Sequence, residues 1–239
     1  MQRIDLNVDL GEGGDADARL IALASSVNIA CGGHAGDAST LRSAMELAAG
    51  RGVAVGAHPG WEDPEHFGRR PLDLSAAELA AALDRQLGRF AEMAATLEIV
   101  ISHVKPHGAL YHQADAEHGY AAALLDAMER HAPGAAVTVP PRGLLQEMAG
   151  ARGVAVIREG FADRRYGSDG RLVPRSEPDA VLTDPHQAVS QAIELAPRVD
   201  TLCVHGDGAA ALRILTAVRE GLLASGWSIR PPQPALTLR

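Results

Sequence analysis

The chain has 239 residues, of which 46% are hydrophobic and 22% charged, and its 30 acidic and 22 basic side chains give a formal charge of -8. This length and composition indicate an ordered α/β protein and exclude a disordered one. A net acidic chain with only three Phe, two Trp and three Tyr also argues against nucleic acid as a partner.

The sequence shows no sign of export or membrane insertion. It opens with Met1-Gln2-Arg3-Ile4-Asp5, which leads into an acidic strand and not into an apolar signal core. No run approaches the ~20 apolar residues that a membrane span requires. Cys31 and Cys203 lie in apolar runs typical of reduced, buried thiols, although Cys31 stands close enough to the predicted site to keep a catalytic role open. We therefore expect a cytoplasmic protein that contacts no membrane.

Short strand candidates alternate with Ala- and Leu-rich helical stretches along the chain. This alternation predicts parallel strands joined by right-handed crossovers. No linker, repeat or low-complexity tract interrupts it, so residues 1–239 are expected to form a single (β/α) barrel domain. The predicted strands are 3–9, 26–31, 53–57, 99–105, 135–139, 154–159 and 201–205. The predicted helices are 15–24, 38–49, 76–97, 117–131, 142–151, 185–195 and 209–224, and 231–234 is expected to be an extended terminal segment.

A cluster of glycine and ionisable residues follows nearly every predicted strand. The clusters are 9–12, 31–34, 57–60, 105–108, 159–164 and 205–208. In a barrel of parallel strands, the C-terminal strand ends meet at one mouth, so these separate clusters would form one site. An open doubly wound sheet is the alternative architecture, but it would need polar residues at a single crevice only.

Two carboxylates, Asp9 and Glu12, flank Gly11 at the end of the first strand. Such a pair can act on water as general acid and base. The alternative is that Asp9 caps the following helix, where acidic side chains are common. Both interpretations stay open on the sequence.

His34 and His58 stand at the ends of consecutive strands, so their imidazoles are expected to converge. With Asp9 they would form an Asp-His-His set able to hold a divalent metal. The spacing is not a compact HExxH motif, however, and either histidine could instead bind substrate or hydrogen-bond the backbone.

Lys105 and His107 are two residues apart and therefore lie on one face of an extended strand, a geometry that Pro106 favours. The pair could clamp a carboxylate or phosphoryl oxygen, and a plain salt bridge is the alternative for Lys105. His205 and Asp207 have the same spacing. Asp207 could orient His205 or bind a substrate amino group, or the two could form a structural pair.

Two arginine-rich segments, 67–70 and 163–166, fall in long predicted loops that could reach the mouth. Arginine binds carboxylate and phosphate through two parallel hydrogen bonds, although surface charge pairing is the commoner role of any one arginine. The sequence has neither a GxxxxGK[ST] P-loop nor a nucleophile elbow.

Together these motifs resemble the LamB/YcsF family, described as the A subunit of bacterial ATP-dependent 5-oxoprolinase. The matching segments run in order through nearly the whole chain. They are DLNVDLGE at 5–12, NIACGGHAGD at 28–37, GAHPG at 56–60, FGRR at 67–70, VKPHGALY at 104–111, EGFADR at 159–164 and VHGD at 204–207.

The resemblance implies a fold, an activity and a set of partners. The fold is a deformed seven-stranded (β/α) barrel, TIM-barrel-like and related to the polysaccharide deacetylase barrel. The activity is hydrolysis of 5-oxo-L-proline to L-glutamate coupled to cleavage of ATP, with magnesium, in a complex with subunits B and C. Carried onto this chain, the resemblance places Asp9, Glu12, His34, His58, Lys105, His107 and Asp207 at the site. We expect catalysis by Asp9, Glu12, His58, Lys105, His107 and Asp207, and substrate binding by His34, Arg69, Asp163, Arg164 and His205.

Three positions depart from the family pattern. Gly33 stands where an aromatic residue is usual, Gly14 lies where a Gly-Phe-Gly-like stretch is expected, and Gly208 follows Asp207 in place of asparagine. These changes predict a roomier pocket, in which substrate preference could differ. Two other functions stay open: a stand-alone metal-dependent amide or carbohydrate deacetylase, and a non-catalytic subunit that holds a small acid.

Overall fold

A computed structural model describes residues 2–14 and 16–232. The strands are β1 (Arg3–Leu10), β2 (Ser26–Ala30), β3 (Ala54–His58), β4 (Ile101–Val104), β5 (Ala136–Val139), β6 (Val156–Phe161), β7 (Thr201–Val204) and β8 (Ser228–Ile229). The helices are α1 (Asp17–Ile21), α2 (Ala38–Ala49), α3 (Ala76–Thr96), α4 (Gly108–Ala114), α5 (His118–His131), α6 (Leu144–Ala151), α7 (Pro185–Leu195) and α8 (Ala211–Ala224).

Strands β1 to β7 close into a parallel barrel. Each pairs with the next along the chain, and β7 pairs back with β1 through Asp5↔Thr201. The two-residue strand β8 adds to the outer side of β1 at Arg3 and Ile4. The predicted deformed seven-stranded barrel is therefore confirmed, and the open-sheet alternative is wrong because β1 contacts both β2 and β7.

The period-two pattern of β1 separates two environments. Ile4, Leu6 and Val8 are buried in the apolar layer beneath the helices. The alternating polar residues Asp5, Asn7 and Asp9 are equally buried and bond to side chains of other strands. The interior of this barrel is thus a hydrogen-bonded polar network, while the hydrophobic core lies between strands and helices.

Local signals place several helix ends. Ser75 and Glu78 form a capping box at the start of α3, and Gly50 ends α2. Helix α1 is shorter than predicted, and α4 was missed because it begins within the polar cluster 105–108. Residues 15 and 233–234, which belong to the predicted first helix and terminal segment, lie outside the described residues. In the described part, none of the helices has the length and hydropathy that crossing a bilayer demands.

The long connection between β6 and α7 folds back over the barrel mouth. Antiparallel bridges join Arg164 to Val181 and Tyr166 to Leu172. The Tyr166 hydroxyl accepts a hydrogen bond from the Phe161 backbone N–H at 2.9 Å, which ties this connection to the end of β6. Residues 172–176 are thereby placed in the wall of the site.

Candidate active site

The C-terminal strand ends open into a cavity of about 740 Å³. Its wall combines strand-end residues with residues from the connections after β3 and β6. The ionisable side chains in that wall are Asp9, His58, Arg69, Lys105, His107, Tyr111, His112, Arg164, Arg175 and His205. The sequence clusters predicted to converge therefore do share one mouth.

Asp9, Lys105 and Glu159 form a buried ionic group at one side of the cavity. Lys105 Nζ lies 2.9 Å from Asp9 Oδ1 and 3.0 Å from Glu159 Oε1. Burial by itself would raise the pKa of Asp9, but the neighbouring Lys105 holds it well below its ordinary value. Burial raises the pKa of Glu159. Lys105 is thus already neutralised within the chain, which favours its salt-bridge interpretation over a free clamp for substrate.

A hydrogen-bonded relay from the barrel interior fixes the orientation of Asp9. Asn28 Nδ2 donates to Asp9 Oδ1 at 2.8 Å, and Asn28 Oδ1 lies 2.8 Å from His103 Nε2. Burial lowers the pKa of His103 to about 3, so the ring is neutral and donates through Nε2. Gly56 makes room for this ring, because a Cβ at that position would lie 2.1 Å from His103 Nε2.

His58 and His107 meet at the cavity with their other nitrogens committed to backbone carbonyls. His58 Nδ1 lies 2.7 Å from Lys105 O, and His107 Nε2 lies 2.9 Å from Phe67 O. Phe67 has a left-handed backbone (φ 56°) that directs its carbonyl to His107. The remaining nitrogens, His58 Nε2 and His107 Nδ1, are 2.9 Å apart. Burial lowers the pKa of His58 to about 4 and that of His107 well below its ordinary value.

Glu12, in the β1–α1 connection, and His34, in the β2–α2 connection, complete this histidine group. His34 Nε2 lies 3.3 Å from Glu12 Oε1, and the His34 ring stacks on His107 with centroids 3.6 Å apart and planes 6° apart. Burial, followed by the charge of Asp9, raises the pKa of Glu12 well above its ordinary value. Glu12, His34, His58 and His107 bring one potential metal-ligand atom each within 4.8 Å of one another.

Three arginines, Arg69, Arg164 and Arg175, also line the cavity. Arg164 is buried, and its guanidinium donates to the carbonyls of Ala180 and Val173 at 3.2 and 2.7 Å. No carboxylate in residues 2–14 or 16–232 lies within 4.0 Å of it. Burial and the nearby charge of Arg175 lower the pKa of Arg164 to about 10, so it stays charged at neutral pH.

The other predicted binding residues have partners within the chain. Arg69 pairs with Asp207 and stacks over Phe67. His205 bonds to Asp163 through Nδ1 at 3.0 Å and through its backbone N–H at 2.9 Å. Asp207 therefore does not orient His205, as its spacing suggested. Asp163 does so instead, because β6 and β7 are adjacent and place the two residues side by side.

Of the three positions that depart from the family pattern, Gly14 and Gly208 lie outside the cavity wall. At the third, Gly33, another side chain occupies the space that a larger residue would take. Gly14 and Gly208 are exposed, and nothing would crowd a side chain at Gly208. A Cβ at Gly33 would lie 2.5 Å from Gln86 Oε1, so Gln86 takes the space of a larger residue. Gln86 also exchanges hydrogen bonds of 3.0 and 2.8 Å with the backbone of Gly60. The gap expected at Gly33 is closed.

The structure thus brings together all the predicted site residues, but in two layers. Asp9, His58, Arg69, Lys105, His107, Arg164 and His205 line the cavity. Glu12, His34, Asp163 and Asp207 contact these lining residues. Sequence reasoning assigned no individual role to Glu159, Asn28, His103, Tyr111 or Arg175, although Glu159 belongs to the predicted cluster 159–164. The polar alternation of β1 was the available signal for a hydrogen-bonded interior, since Asn7 bonds to both Asn28 and Glu159.

The predicted metal set and the group formed in the structure share His34 and His58 but differ in their other members. Asp9 Oδ1 is occupied by Lys105 and Asn28, and its Oδ2 lies 3.6 Å from His58 Nε2. The group that the structure forms instead joins Glu12 and His107 to the two shared histidines, with one ligand atom from each residue and all four atoms within 4.8 Å of one another. The buried cysteines take no part in this group. Burial raises the pKa of Cys31 to about 12, which leaves it a protonated thiol.

Fold and cavity define a (β/α)-barrel protein whose polar site, lined by Asp9, Lys105, histidines and arginines, lies at the C-terminal strand ends. The chain belongs to the LamB/YcsF family, whose family model matches residues 4–237. The resemblance seen in the sequence is confirmed.

Relatives of known name match over nearly the whole chain. A protein named as the A subunit of 5-oxoprolinase from Symbiobacterium thermophilum is 40% identical over 97% of this chain and 96% of its own length. A protein of the same name from Neisseria meningitidis is 39% identical over 96% of this chain and 99% of its own length. The crystal structure of a lactam utilization protein from Thermus thermophilus superposes with a TM-score of 0.87 at 36% identity, covering 96% of this chain and 99% of that one.

More distant structures share the fold alone. A family 4 carbohydrate esterase from Streptomyces lividans has a TM-score of 0.53 at 12% identity, covering 95% of this chain and 91% of that one. A polysaccharide deacetylase from Bacillus cereus has a TM-score of 0.54 at 12% identity, covering 98% of this chain and 93% of that one. The expected relation to the deacetylase barrel is confirmed at the level of fold.

Proposed function

We propose that this chain is the lactam-hydrolysing subunit of an ATP-dependent 5-oxoprolinase, which opens 5-oxo-L-proline to L-glutamate. The names of the full-length relatives support this proposal. The observation that carries it in the structure is the cavity itself, which the buried Arg164 lines together with Asp9, Lys105, His58 and His107. A substrate that carries both a carboxylate and an amide meets a cation and several polar groups in this one cavity.

Arg164 is the best candidate to bind the substrate carboxylate. A buried arginine normally has a carboxylate in contact with it, whereas in the part of the chain that the structure describes the Arg164 guanidinium has none within 4.0 Å and donates to backbone carbonyls. Lys105 and Arg69 are less available, because Asp9 and Glu159 surround the first and Asp207 pairs with the second. Arg175, 3.9 Å from Asp207, adds positive charge to the same cavity.

Other residues of the cavity supply polar groups for the reacting amide. Water adds to the ring carbonyl carbon, the ring C–N bond breaks, and the nitrogen gains the proton that water loses. The Glu12–His58–His107 group is where we place activation of water, beside the ionised Asp9. Tyr111 lines the same cavity, and its buried hydroxyl lies beside the Glu159 carboxyl.

ATP and partner subunits are part of the same proposal. Transfer of the γ-phosphoryl group of ATP to the lactam oxygen releases ADP and makes the ring carbonyl carbon a better electrophile, and the phosphoryl group leaves as inorganic phosphate when glutamate forms. Magnesium would accompany the ATP consumed by the complex. The partners we propose are subunits B and C, and the place of action is the cytoplasm. We also propose that residues 1–239 act as one domain, supported by the pairing of β1 with both β2 and β7.

The test measures glutamate released from 5-oxoproline in the presence of ATP and magnesium. This chain is assayed with and without subunits B and C from the same source. We expect release in the complete mixture and negligible release by any component alone. Turnover by the isolated chain would contradict the partner requirement. A complete, assembled mixture that releases no glutamate would contradict the assignment of substrate.

A further inference from the structure

The histidine group contains an unresolved electrostatic conflict. A carbonyl oxygen only accepts hydrogen bonds, so the contacts of His58 Nδ1 with Lys105 O and of His107 Nε2 with Phe67 O require a proton on each of those nitrogens. In neutral rings, His58 Nε2 and His107 Nδ1 must then both carry lone pairs. These two lone pairs face each other across 2.9 Å.

Only a positive charge between the two nitrogens removes that repulsion, and the position of Glu12 distinguishes a metal ion from a shared proton. Glu12 Oε1 lies 3.6 Å from His107 Nδ1, which is too long for a hydrogen bond. Two ligands of one tetrahedral zinc, each about 2.0–2.1 Å from the metal, are roughly 3.3 Å apart. The separations of 2.9 and 3.6 Å lie on either side of that value.

His34 cannot be a fourth ligand in this arrangement. An imidazole binds a metal in its own ring plane, and the His34 and His107 rings are parallel with centroids 3.6 Å apart. An ion in the plane of one ring therefore lies far out of the plane of the other. His34 instead holds Glu12, since its Nε2 lies 3.3 Å from Glu12 Oε1 and its Nδ1 has no partner in the described chain.

We propose that Glu12 Oε1, His58 Nε2 and His107 Nδ1 bind one divalent transition-metal ion of the zinc type, with His34 as a positioning residue for Glu12. Two imidazoles and a carboxylate are a donor set that suits zinc and cobalt(II), and three protein ligands leave a position open for water. The site borders the cavity through His58 and His107. Any part of the ion in hydrolysis rests on the proposed function, whereas its binding does not.

The test is metal binding by the full-length chain after chelator treatment and dialysis. We expect about one equivalent of zinc by elemental analysis, visible absorption bands of a low-symmetry site when cobalt(II) is added, and a rise in Tm with either ion. Glu12→Gln and His107→Gln should each weaken binding by more than the roughly 10–100-fold that the loss of an outer partner costs. His34→Gln, which removes only such a partner, should fall within that range.

His112→Gln is the matched control, because His112 lines the same cavity but does not belong to the ligand group. It should bind the ion as the wild-type chain does. Circular dichroism establishes that each variant is folded, and Glu12→Gln keeps the test valid should His107→Gln fail to fold. Absence of stoichiometric binding by the wild-type chain, or equal binding by folded Glu12→Gln, would overturn the proposal. Metal binding is measured without substrate, so its result tests this proposal even if the glutamate assay contradicts the proposed function.

Discussion

Arg164 is the side chain through which we expect affinity for a carboxylate substrate to be set. Replacing it with glutamine removes the charge while leaving a polar group of moderate size. A hydrogen bond to a charged group contributes about 1.5–3 kcal/mol, so Arg164→Gln should weaken 5-oxoproline binding about 10–100-fold. Calorimetric titration of the isolated chain with 5-oxoproline measures this directly.

Arg165→Gln is the control for this substitution, because Arg165 is exposed in the same connection and donates to Pro178 O. It should leave affinity unchanged. Equal affinity in wild type and a folded Arg164→Gln variant would show that the substrate carboxylate binds elsewhere in the cavity.

At this scale the sequence identifies residue types but not their pairing. The segment 163–166 indicates arginines near the mouth, yet only the folded connection shows that Arg164 is buried without a carboxylate in the described chain while Arg165 is exposed. Lys105 is the converse case. Its partner Glu159 is distant along the chain, and their pairing follows from the position of β4 and β6 around the barrel.

Within the strand elements, Gly56 of β3 is required by the packing of β4. A Cβ there would lie 2.1 Å from His103 Nε2, and the ring cannot move without losing its contact with Asn28. Gly56→Ala should therefore lower the free energy of unfolding by about 1–3 kcal/mol, the usual cost of overpacking a core. It should also reduce glutamate release in the complete system, since Asn28 orients Asp9.

Gly150→Ala offers the opposite result from the same chemical change. Gly150 lies in α6, and nothing within 4 Å would meet an added Cβ. Alanine there should raise stability by roughly 0.5–1 kcal/mol. Chemical denaturation measures both variants, and a neutral Gly56→Ala would mean that His103 is not held as described.

The major elements were predictable because the alternation of apolar strands and amphipathic helices repeats along the chain. Elements without such a signal were not. Strand β8 has only two residues, and α4 starts at Gly108 directly after a polar cluster that indicated a loop. The bridges after β6 join Arg164 and Tyr166 to residues further along the same connection, and period-based reasoning does not capture such contacts.

For the whole molecule, closure of the barrel depends on a carboxylate at the end opposite the active site. Asp5 is hydrogen-bonded to the hydroxyls of Ser25, Ser26 and Thr201 at 2.6, 2.7 and 2.5 Å, so it joins β1 to β7 and to the start of β2. Burial raises the pKa of Asp5 to about 6, from an ordinary value of 3.8. The folded barrel therefore keeps a proton on Asp5 at pH values where the unfolded chain has lost it.

This difference in proton binding makes global stability depend on pH in a direction opposite to that of an ordinary salt-bridged aspartate. Below about pH 4 both states are protonated and the contribution of Asp5 is complete. As the pH rises through 6 the folded protein must ionise a buried group, and that contribution is lost. The free energy of unfolding of wild type, minus that of Asp5→Asn, should fall by about 2 kcal/mol between pH 4 and pH 7. Asp73→Asn, at an exposed position, serves as the control. If the difference in unfolding free energy between wild type and Asp5→Asn does not change with pH, Asp5 is not protonated in the folded barrel.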